Sequence, residues 1–198
     1  SHSAMTIAPR LLDRLFYQNE TRRLRSNLRR LSQMAGEGES LKENLDATLN
    51  ALCVSVRATY GLIFTFDGET ARSFSDFKWR GLPIEVPAQT LSTDDVTHVE
   101  ARRFPAPLDE AALLVPLYAE AEQVGALLLG QPSNGIHFAT DDVERVLHPA
   151  DRIADALFSA RRKNEYLARL TEVAEEHRAE RRRELPSVPA EKVENALR

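Results

Sequence analysis

The fold is decided by the stretch Leu113-Leu-Val-Pro-Leu-Tyr118, the polar residues 119–123 and the run Val124-Gly-Ala-Leu-Leu-Leu-Gly130. Two short apolar runs on either side of a polar turn predict a β-hairpin. Both runs are apolar at nearly every position, which indicates strands that are covered on both faces. We therefore expect helices to pack on the sheet that contains this hairpin.

A long helix is predicted to follow the hairpin. Thr140 is a favourable N-cap, and the acidic side chains directly after it suit the positive end of the helix dipole. The helical pattern continues to about Leu185. Pro149 is expected to kink or divide this helix, because proline lacks the amide donor and clashes with the preceding turn.

The order of these elements is an apolar strand with a proline, a polar turn, Val124–Gly130, a loop, Phe138-Ala-Thr-Asp-Asp-Val143 and a helix containing Ile153-Ala-Asp-Ala-Leu157. This order resembles the last third of GAF domains, which are small-ligand sensor modules of bacterial signalling proteins. The resemblance extends from about Ser40 to Leu157. It implies an α+β fold with a central antiparallel sheet, helices on both faces and a ligand pocket on one of them.

Residues 10–35 contain neither glycine nor proline and are predicted to form a long helix, to which we assign residues 10–36. Its apolar stripe is narrow and suits a partner helix better than a globular core. The helix is also rich in arginine, which indicates either contact with nucleic acid or acidic lipid, or simply a solvated face. The apolar stripe consists of Tyr17, Leu24, Leu28, Leu31 and Ala35.

A second helix and a second hairpin are predicted between residues 40 and 77. Ser40 and Glu43 form a capping box, and the helix carries an apolar stripe that reaches Tyr60 and should lie on the sheet. Gly61 begins a strand, Asp67-Gly68 is the expected turn, and Glu69 to Phe77 returns. The alternating residues Leu62, Phe64 and Phe66 share one face of the first strand, which faces either the pocket or the opposite helix layer.

The chain carries one cysteine, Cys53, which we interpret as a small buried residue. It allows no intramolecular disulfide and no thiolate metal cluster, so a reducing cytoplasm is expected. His98 and Asp94 offer only two metal ligands, and no glycine-rich phosphate loop is found. We expect no catalytic residue and no metal site. In GAF domains that attach a bilin, the cysteine lies in the later pocket region, so a covalent bilin is not expected here, and any other cofactor is unknown.

Residues 78–112 form the least regular part of the sequence, apart from a short helix expected between Ser92 and Glu100. In GAF domains the corresponding region closes over the ligand. Apolar walls with one or two charged anchors suit a small anionic or aromatic molecule. An empty pocket, in a module that only dimerises, is the alternative. The candidate ligand-binding residues are Phe64, Phe66, Phe77, Trp79, Arg80, Val99, Arg102, Arg103 and Phe104.

A heptad-like stripe on the last helix continues beyond the expected end of the globular domain. We predict that the first and last helices pair with those of a second copy of the chain across a dimer axis. Asn164 would place a buried amide on this dimer seam, where such a group can fix the register. The predicted seam consists of Leu24, Leu28, Leu31, Ile153, Leu157, Asn164 and Leu167.

The predicted organisation is a disordered tag remnant at 1–9, a dimerisation helix at 10–36, a GAF-like sensor domain at 38–158, a signalling helix at 159–185 and a linker at 186–198 towards a downstream output domain. The predicted function is small-ligand sensing or regulation within a homodimeric bacterial signal-transduction or transcriptional regulator. A ligand-free dimerisation scaffold is one alternative. Nucleic-acid contact by the arginine-rich helix is another, which the net charge of -4 disfavours. No stretch approaches the roughly 20 apolar residues of a membrane span.

Overall fold

The structure is a computed structural model that describes residues 22–29, 38–100, 103–135 and 137–184. The predicted site residues Leu31 and Arg102 lie outside the described residues, as do the side chain of Ser40 and the terminal segments 1–9 and 186–198. Contacts divide the chain into two compact units, Ser1–Ala160 and Arg161–Arg198.

The first unit is built on a six-stranded antiparallel sheet with the strand order β3-β2-β1-β6-β5-β4. The predicted α+β class and the central antiparallel sheet are confirmed. The elements are helix α1 at residues 22–29, α2 Gly38–Ser55, β1 Gly61–Asp67, β2 Thr70–Phe77, β3 Glu85–Pro87, a 3₁₀ helix Ala88–Thr90, β4 Thr97–His98, β5 Ala111–Ala119, β6 Glu122–Gly130 and α3 Thr140–Glu184.

Both predicted hairpins form, with shorter or shifted turns. In the β5–β6 hairpin Ala119 pairs with Glu122, so the loop consists of Glu120 and Ala121 alone. In the β1–β2 hairpin Asp67 still pairs with Thr70, and the loop is therefore Gly68–Glu69 rather than Asp67-Gly68. Gly68 has a φ of +59°, a left-handed conformation that glycine adopts without steric cost.

The short helix predicted after Ser92 is wrong. Thr97 and His98 instead form β4, which pairs with Leu114 and Leu113 at the edge of β5. The amide of the following residue, Val99, continues this pairing by donating a 2.9 Å hydrogen bond to the carbonyl of Ala112. The unpaired backbone groups at the edge of β5 form hydrogen bonds with an extended segment. A short helix after Ser92 would leave those groups unpaired, and its capping residues would not compensate for the lost hydrogen bonds.

Helices α1, α2 and the first part of α3 cover one face of the sheet, and their apolar side chains form what we call the helix-side cluster. Leu45, Leu49 and Leu52 of α2 are fully buried in it. Leu24 and Leu28 of α1 belong to the same cluster, so the prediction that their stripe is too narrow for the core is wrong. A 3.1 Å hydrogen bond from the side-chain amide of Asn27 to the carbonyl of Ala47 also joins α1 to α2.

The opposite face of the sheet carries a second apolar cluster, which we call the loop-side cluster. In the described part of the chain it is covered by the 3₁₀ helix and by the irregular residues 103–110. The expected shared face of Leu62, Phe64 and Phe66 is confirmed, and it is this loop-side face. The other buried members are Tyr60, Ala71, Ala88, Leu91, Phe104, Leu108, Ala111, Leu114, Ala126 and Leu128.

Helix α3 starts in the first unit and extends into the second. Pro149 does not divide it, because buried neighbours such as Val146, Ala150 and Ile153 hold both sides of the proline against the core. In the second unit, residues 162–183 are exposed. None of the helices that the structure describes has both the length and the apolar character needed to cross a membrane.

Candidate ligand site on the loop-side face

The structure brings together five of the predicted ligand-binding residues on the loop-side face. Phe64 and Phe104 are buried in the loop-side cluster. Phe66, Trp79 and Val99 are partly buried and pack against it. Strand β1 positions Phe64 and Phe66 on this face by its period of two. Trp79, Val99 and Phe104 reach the same face from the segments after β2 and β4.

Phe77 is not part of this group, which corrects the prediction. It is buried in the helix-side cluster, and the ammonium of Lys78 lies 5.1 Å from its ring centroid. Phe77 pairs with Gly61 across the hairpin, and the register of the two strands shifts between Ile63 and Phe64. Such an irregularity changes which side chains share a face, and a count of alternating residues does not reveal it.

The predicted arginine anchors are also displaced from the cluster. The side chains of Arg80 and Arg103 are exposed. The guanidinium of Arg103 lies 5.7 Å from the ring centroid of Phe104. Among the described residues, therefore, neither arginine provides a buried positive charge for an anionic ligand.

Tyr60 is a feature of the loop-side face that the sequence reasoning missed. The residue is only 7% exposed, and its hydroxyl oxygen is buried without a hydrogen-bond partner among the residues that the structure describes. Its ring centroid lies 5.3 Å from that of Trp79, with 58° between the ring planes. Burial, assisted by the negative charges of Glu110 and Asp109, raises the pKa of Tyr60 well above its ordinary value.

Tyr60 was expected to continue the apolar stripe of α2, but the helix ends before it. Arg57 has a φ of +59°, and the amide of Ala58 donates a 2.9 Å hydrogen bond back to the carbonyl of Cys53. This pattern is a Schellman C-cap. Because the left-handed position holds arginine instead of glycine, the sequence gives no signal that the helix stops there.

A concavity lies between α2 and β2 in the first unit. Its volume is about 190 Å³, smaller than the ~300 Å³ at which typical ligand pockets begin. Lys42 and Asp46 form an ion pair of 2.8 Å at its edge, and Asp46 also accepts a hydrogen bond from the hydroxyl of Ser75. The lining residues are Lys42, Ser73, Phe74, Ser75, Asp76, Trp79, Gly81 and Pro83.

Cys53 is fully buried in the helix-side cluster, which confirms its interpretation as a small core residue. Burial raises the pKa of its thiol far above the ordinary range, so the thiolate that nucleophilic chemistry requires does not form near neutral pH. Within the described ranges, no three His, Cys, Asp or Glu side chains are grouped so that they could hold a metal ion.

Four of the predicted seam residues are buried within their own chain. Leu24, Leu28, Ile153 and Leu157 belong to the helix-side cluster, so they are not available to a second copy. Their heptad-like spacing fits a core as well as it fits a dimer seam, which explains the error. Asn164 and Leu167 are exposed, as are three further large apolar side chains of the same helix, Tyr166, Leu170 and Val173.

No protein-family model and no curated protein sequence matches the chain. Solved structures do match it. The GAF domain of a phosphoenolpyruvate-protein phosphotransferase from Coxiella burnetii superimposes with a TM-score of 0.60 at 14% identity, covering 75% of this chain and 98% of that one. The corresponding domain from Acinetobacter gives 0.59 at 11% identity, with coverages of 71% and 93%. A free methionine-R-sulfoxide reductase from Neisseria meningitidis gives 0.56 at 12% identity, with coverages of 74% and 92%.

The chain therefore has a GAF-like fold. The two GAF domains superimpose on about three quarters of this chain and on nearly the whole of their own length. The neighbours include GAF domains of phosphotransferases and a methionine sulfoxide reductase, so the fold alone does not assign an activity.

Proposed function

We propose that the chain is a non-catalytic regulatory module that senses a small ligand on the loop-side face and acts as a homodimer. It would serve a cytoplasmic signal-transduction or transcriptional regulatory protein and pass its signal to an output domain of that protein. The GAF-like fold supports the sensory role. The protonated, buried thiol of Cys53 supports a role without cysteine-based catalysis.

The observation that carries this proposal is the exposed apolar surface of α3, which we call the α3 stripe: Tyr166, Leu167, Leu170 and Val173. Tyr166 is 62% exposed and the other three are each 48% exposed. Tyr166, Leu170 and Val173 follow the alternating spacing of four and three residues that places side chains along one helix seam. A second copy of the chain presents the same stripe, so two copies bury each other's apolar side chains.

Helix α3 also provides a physical route from the ligand site to the stripe. Its first part contributes Val146, Ile153 and Leu157 to the core of the first unit, on the other side of the sheet from the loop-side cluster. Ligand binding between the sheet and the covering loops shifts the strands beneath α3. Packed helices answer such a shift by moving between discrete arrangements, and the α3 stripe passes that change to its partner.

The dimer is tested by single-cysteine cross-linking. Because Cys53 is buried, a cysteine introduced on α3 is the accessible thiol of the folded chain. Cysteines at Tyr166, Leu170 and Val173 should form disulfides between two copies. Cysteines at Ala168 and Glu175, on the opposite face of the helix, should not. Reactivity without this helical period would contradict the proposed seam.

The ligand is tested by thermal unfolding against a library of small aromatic compounds, nucleotides and tetrapyrroles. A ligand present at about 100 times its dissociation constant adds about 2.7 kcal/mol to stability. Stabilisation that is lost when Phe104 is replaced by alanine would place the ligand on the loop-side face, whereas Trp79 also lines the concavity between α2 and β2. A dimer that no compound stabilises would favour the ligand-free scaffold, which the close packing of Phe64, Leu114 and Leu128 also fits.

The basic surface of α1 favours a second candidate function, contact with nucleic acid. Arg22, Arg25 and Arg29 are exposed while Leu24 and Leu28 of the same helix are buried. Electrostatic binding to nucleic acid weakens steeply as salt rises. A fluorescent duplex that fails to bind at low salt would exclude this function, and binding that Arg25→Glu abolishes would support it.

A further inference from the structure

We infer that the hydroxyl of Tyr60, the indole of Trp79 and the carboxylates of Asp109 and Glu110 recognise a small organic ammonium ion. This inference rests on the proposed sensing function and names the class of ligand. It also replaces the expectation of an anionic ligand, since Arg80 and Arg103 are exposed.

The hydroxyl of Tyr60 is the first reason to place a ligand here. Buried hydroxyl groups in proteins nearly always have a hydrogen-bond partner, but this one has none. The ring is held closely from behind, because a Cβ atom on Gly130 would lie 2.4 Å from it. A ligand group that bonds to this hydroxyl removes the cost of leaving it unpaired.

The charges near Tyr60 select a cation. Asp109 and Glu110 are exposed and directly precede Ala111, which pairs with Gly130, and the amide of Gly130 donates a 3.0 Å hydrogen bond to the carbonyl of Tyr60. Their negative charges also raise the pKa of Tyr60, and neither carboxylate makes an ion pair with a described residue. The ammonium of Lys78 lies over the ring of Phe77, in the helix-side cluster. Two carboxylates without a counter-ion attract a positively charged molecule and repel an anion.

The aromatic rings favour an organic ammonium over a simple metal ion. Tyr60 and Trp79 meet at 58°, so their ring faces form a corner. Ammonium groups bind to the faces of tryptophan and tyrosine within about 6 Å of the ring centroid. Trp79 is only partly buried, so part of this residue remains in contact with solvent.

Trp79 is the chain's only tryptophan, so its fluorescence reports directly on this corner. The probes are choline, tetramethylammonium and 3,3-dimethylbutan-1-ol, all at constant ionic strength. The last of these, called dimethylbutanol below, is the uncharged isostere of choline. We expect saturable fluorescence changes with both ammonium ions and at least about tenfold weaker binding of dimethylbutanol. Tyr60→Phe should weaken choline binding about three- to tenfold, because the hydroxyl of choline loses its partner, and should leave tetramethylammonium unaffected.

The carboxylates are tested by the double variant Asp109→Asn/Glu110→Gln, which should weaken both ammonium ions about tenfold. The control Glu175→Gln/Glu176→Gln removes the same charge from exposed positions on α3 and should change neither affinity. Circular dichroism checks that each variant is folded. If the double variant unfolds, Tyr60→Phe with the two ammonium probes still decides the question.

The inference is overturned if neither ammonium ion gives a saturable change, or if dimethylbutanol binds as tightly as choline. The proposed sensing function fails separately. If a neutral or anionic library compound stabilises the protein and perturbs Trp79 while the ammonium ions do not, the ligand class is wrong and sensing stands. If no compound binds at all, sensing fails as well.

Discussion

The backbone of Arg57 is left-handed at the end of α2, where glycine is the usual residue. A non-glycine residue in this conformation costs the folded state about 1–2 kcal/mol. Replacement by glycine removes this cost, but roughly half of the gain is lost because glycine gives the unfolded chain more conformational freedom. Arg57→Gly should therefore raise the free energy of unfolding in urea by about 0.5–1 kcal/mol. Arg57→Ala removes the same side chain but keeps the Cβ atom, and it should give no gain.

The unpaired hydroxyl of Tyr60 has a consequence for stability at neutral pH. A buried hydroxyl without a hydrogen bond costs about 1–3 kcal/mol by mutational data, and phenylalanine fills the same space without that cost. We expect Tyr60→Phe to unfold at a higher urea concentration, with a gain of roughly 1 kcal/mol. A loss of stability would show that the hydroxyl has a partner in solution.

Tyr60 also predicts a pH dependence. Burial and the neighbouring carboxylates raise the pKa of Tyr60 in the folded chain, so the unfolded chain releases this proton at a lower pH, near 10.0. Above that pH the unfolded state binds fewer protons than the folded state, and the folded state loses stability as pH rises. The difference in the free energy of unfolding between Tyr60→Phe and the wild type should therefore grow from about pH 8 to about pH 11, as measured by urea titrations.

The β5–β6 turn carries local strain at the scale of an element. Glu120 and Ala121 have φ values of 49° and 65°, the conformation of a type I′ turn that asparagine and glycine prefer. Glu120→Asn/Ala121→Gly should stabilise the protein by about 1–2 kcal/mol in thermal or urea unfolding. Glu120→Gln keeps the strained residue type and should not reproduce that gain, which separates backbone strain from the loss of a charge.

The elements themselves could be predicted because their periods are local properties of the sequence. The apolar runs of β5 and β6 and the alternation along β1 each indicate one structure. The start of α3 was predicted one residue late, because Ala139 is the N-cap and Thr140 is the first helical residue. The turns were predicted less well, since Glu120 and Ala121 lack the residue types that mark a tight turn. The candidate site was predicted only in part. Phe77 is displaced by a register shift, and Tyr60 is separated from α2 by a C-cap without glycine.

At the scale of the whole molecule, an apolar helical stripe does not reveal what it contacts. Leu24 and Leu28 pack into the chain's own core, whereas Leu167 and Leu170 remain exposed. Both pairs have helical spacing, so sequence periodicity treats them alike. Only long-range packing, which brings α1 against α2 and the sheet, distinguishes a core helix from a candidate dimer seam.

This distinction predicts opposite behaviour for two leucine substitutions. Leu28→Ala removes a buried side chain and should lower the free energy of unfolding by about 2–3 kcal/mol at every protein concentration. Leu170→Ala affects a side chain that is 48% exposed, so it should leave the stability of the dilute protein nearly unchanged. If α3 pairs with a second copy, stability rises with protein concentration, and Leu170→Ala should reduce that rise while Ala168→Ser, on the opposite face, should not. Urea unfolding at low and high micromolar concentrations measures both effects. A wild-type stability that is independent of concentration would mean that the α3 stripe has no partner copy.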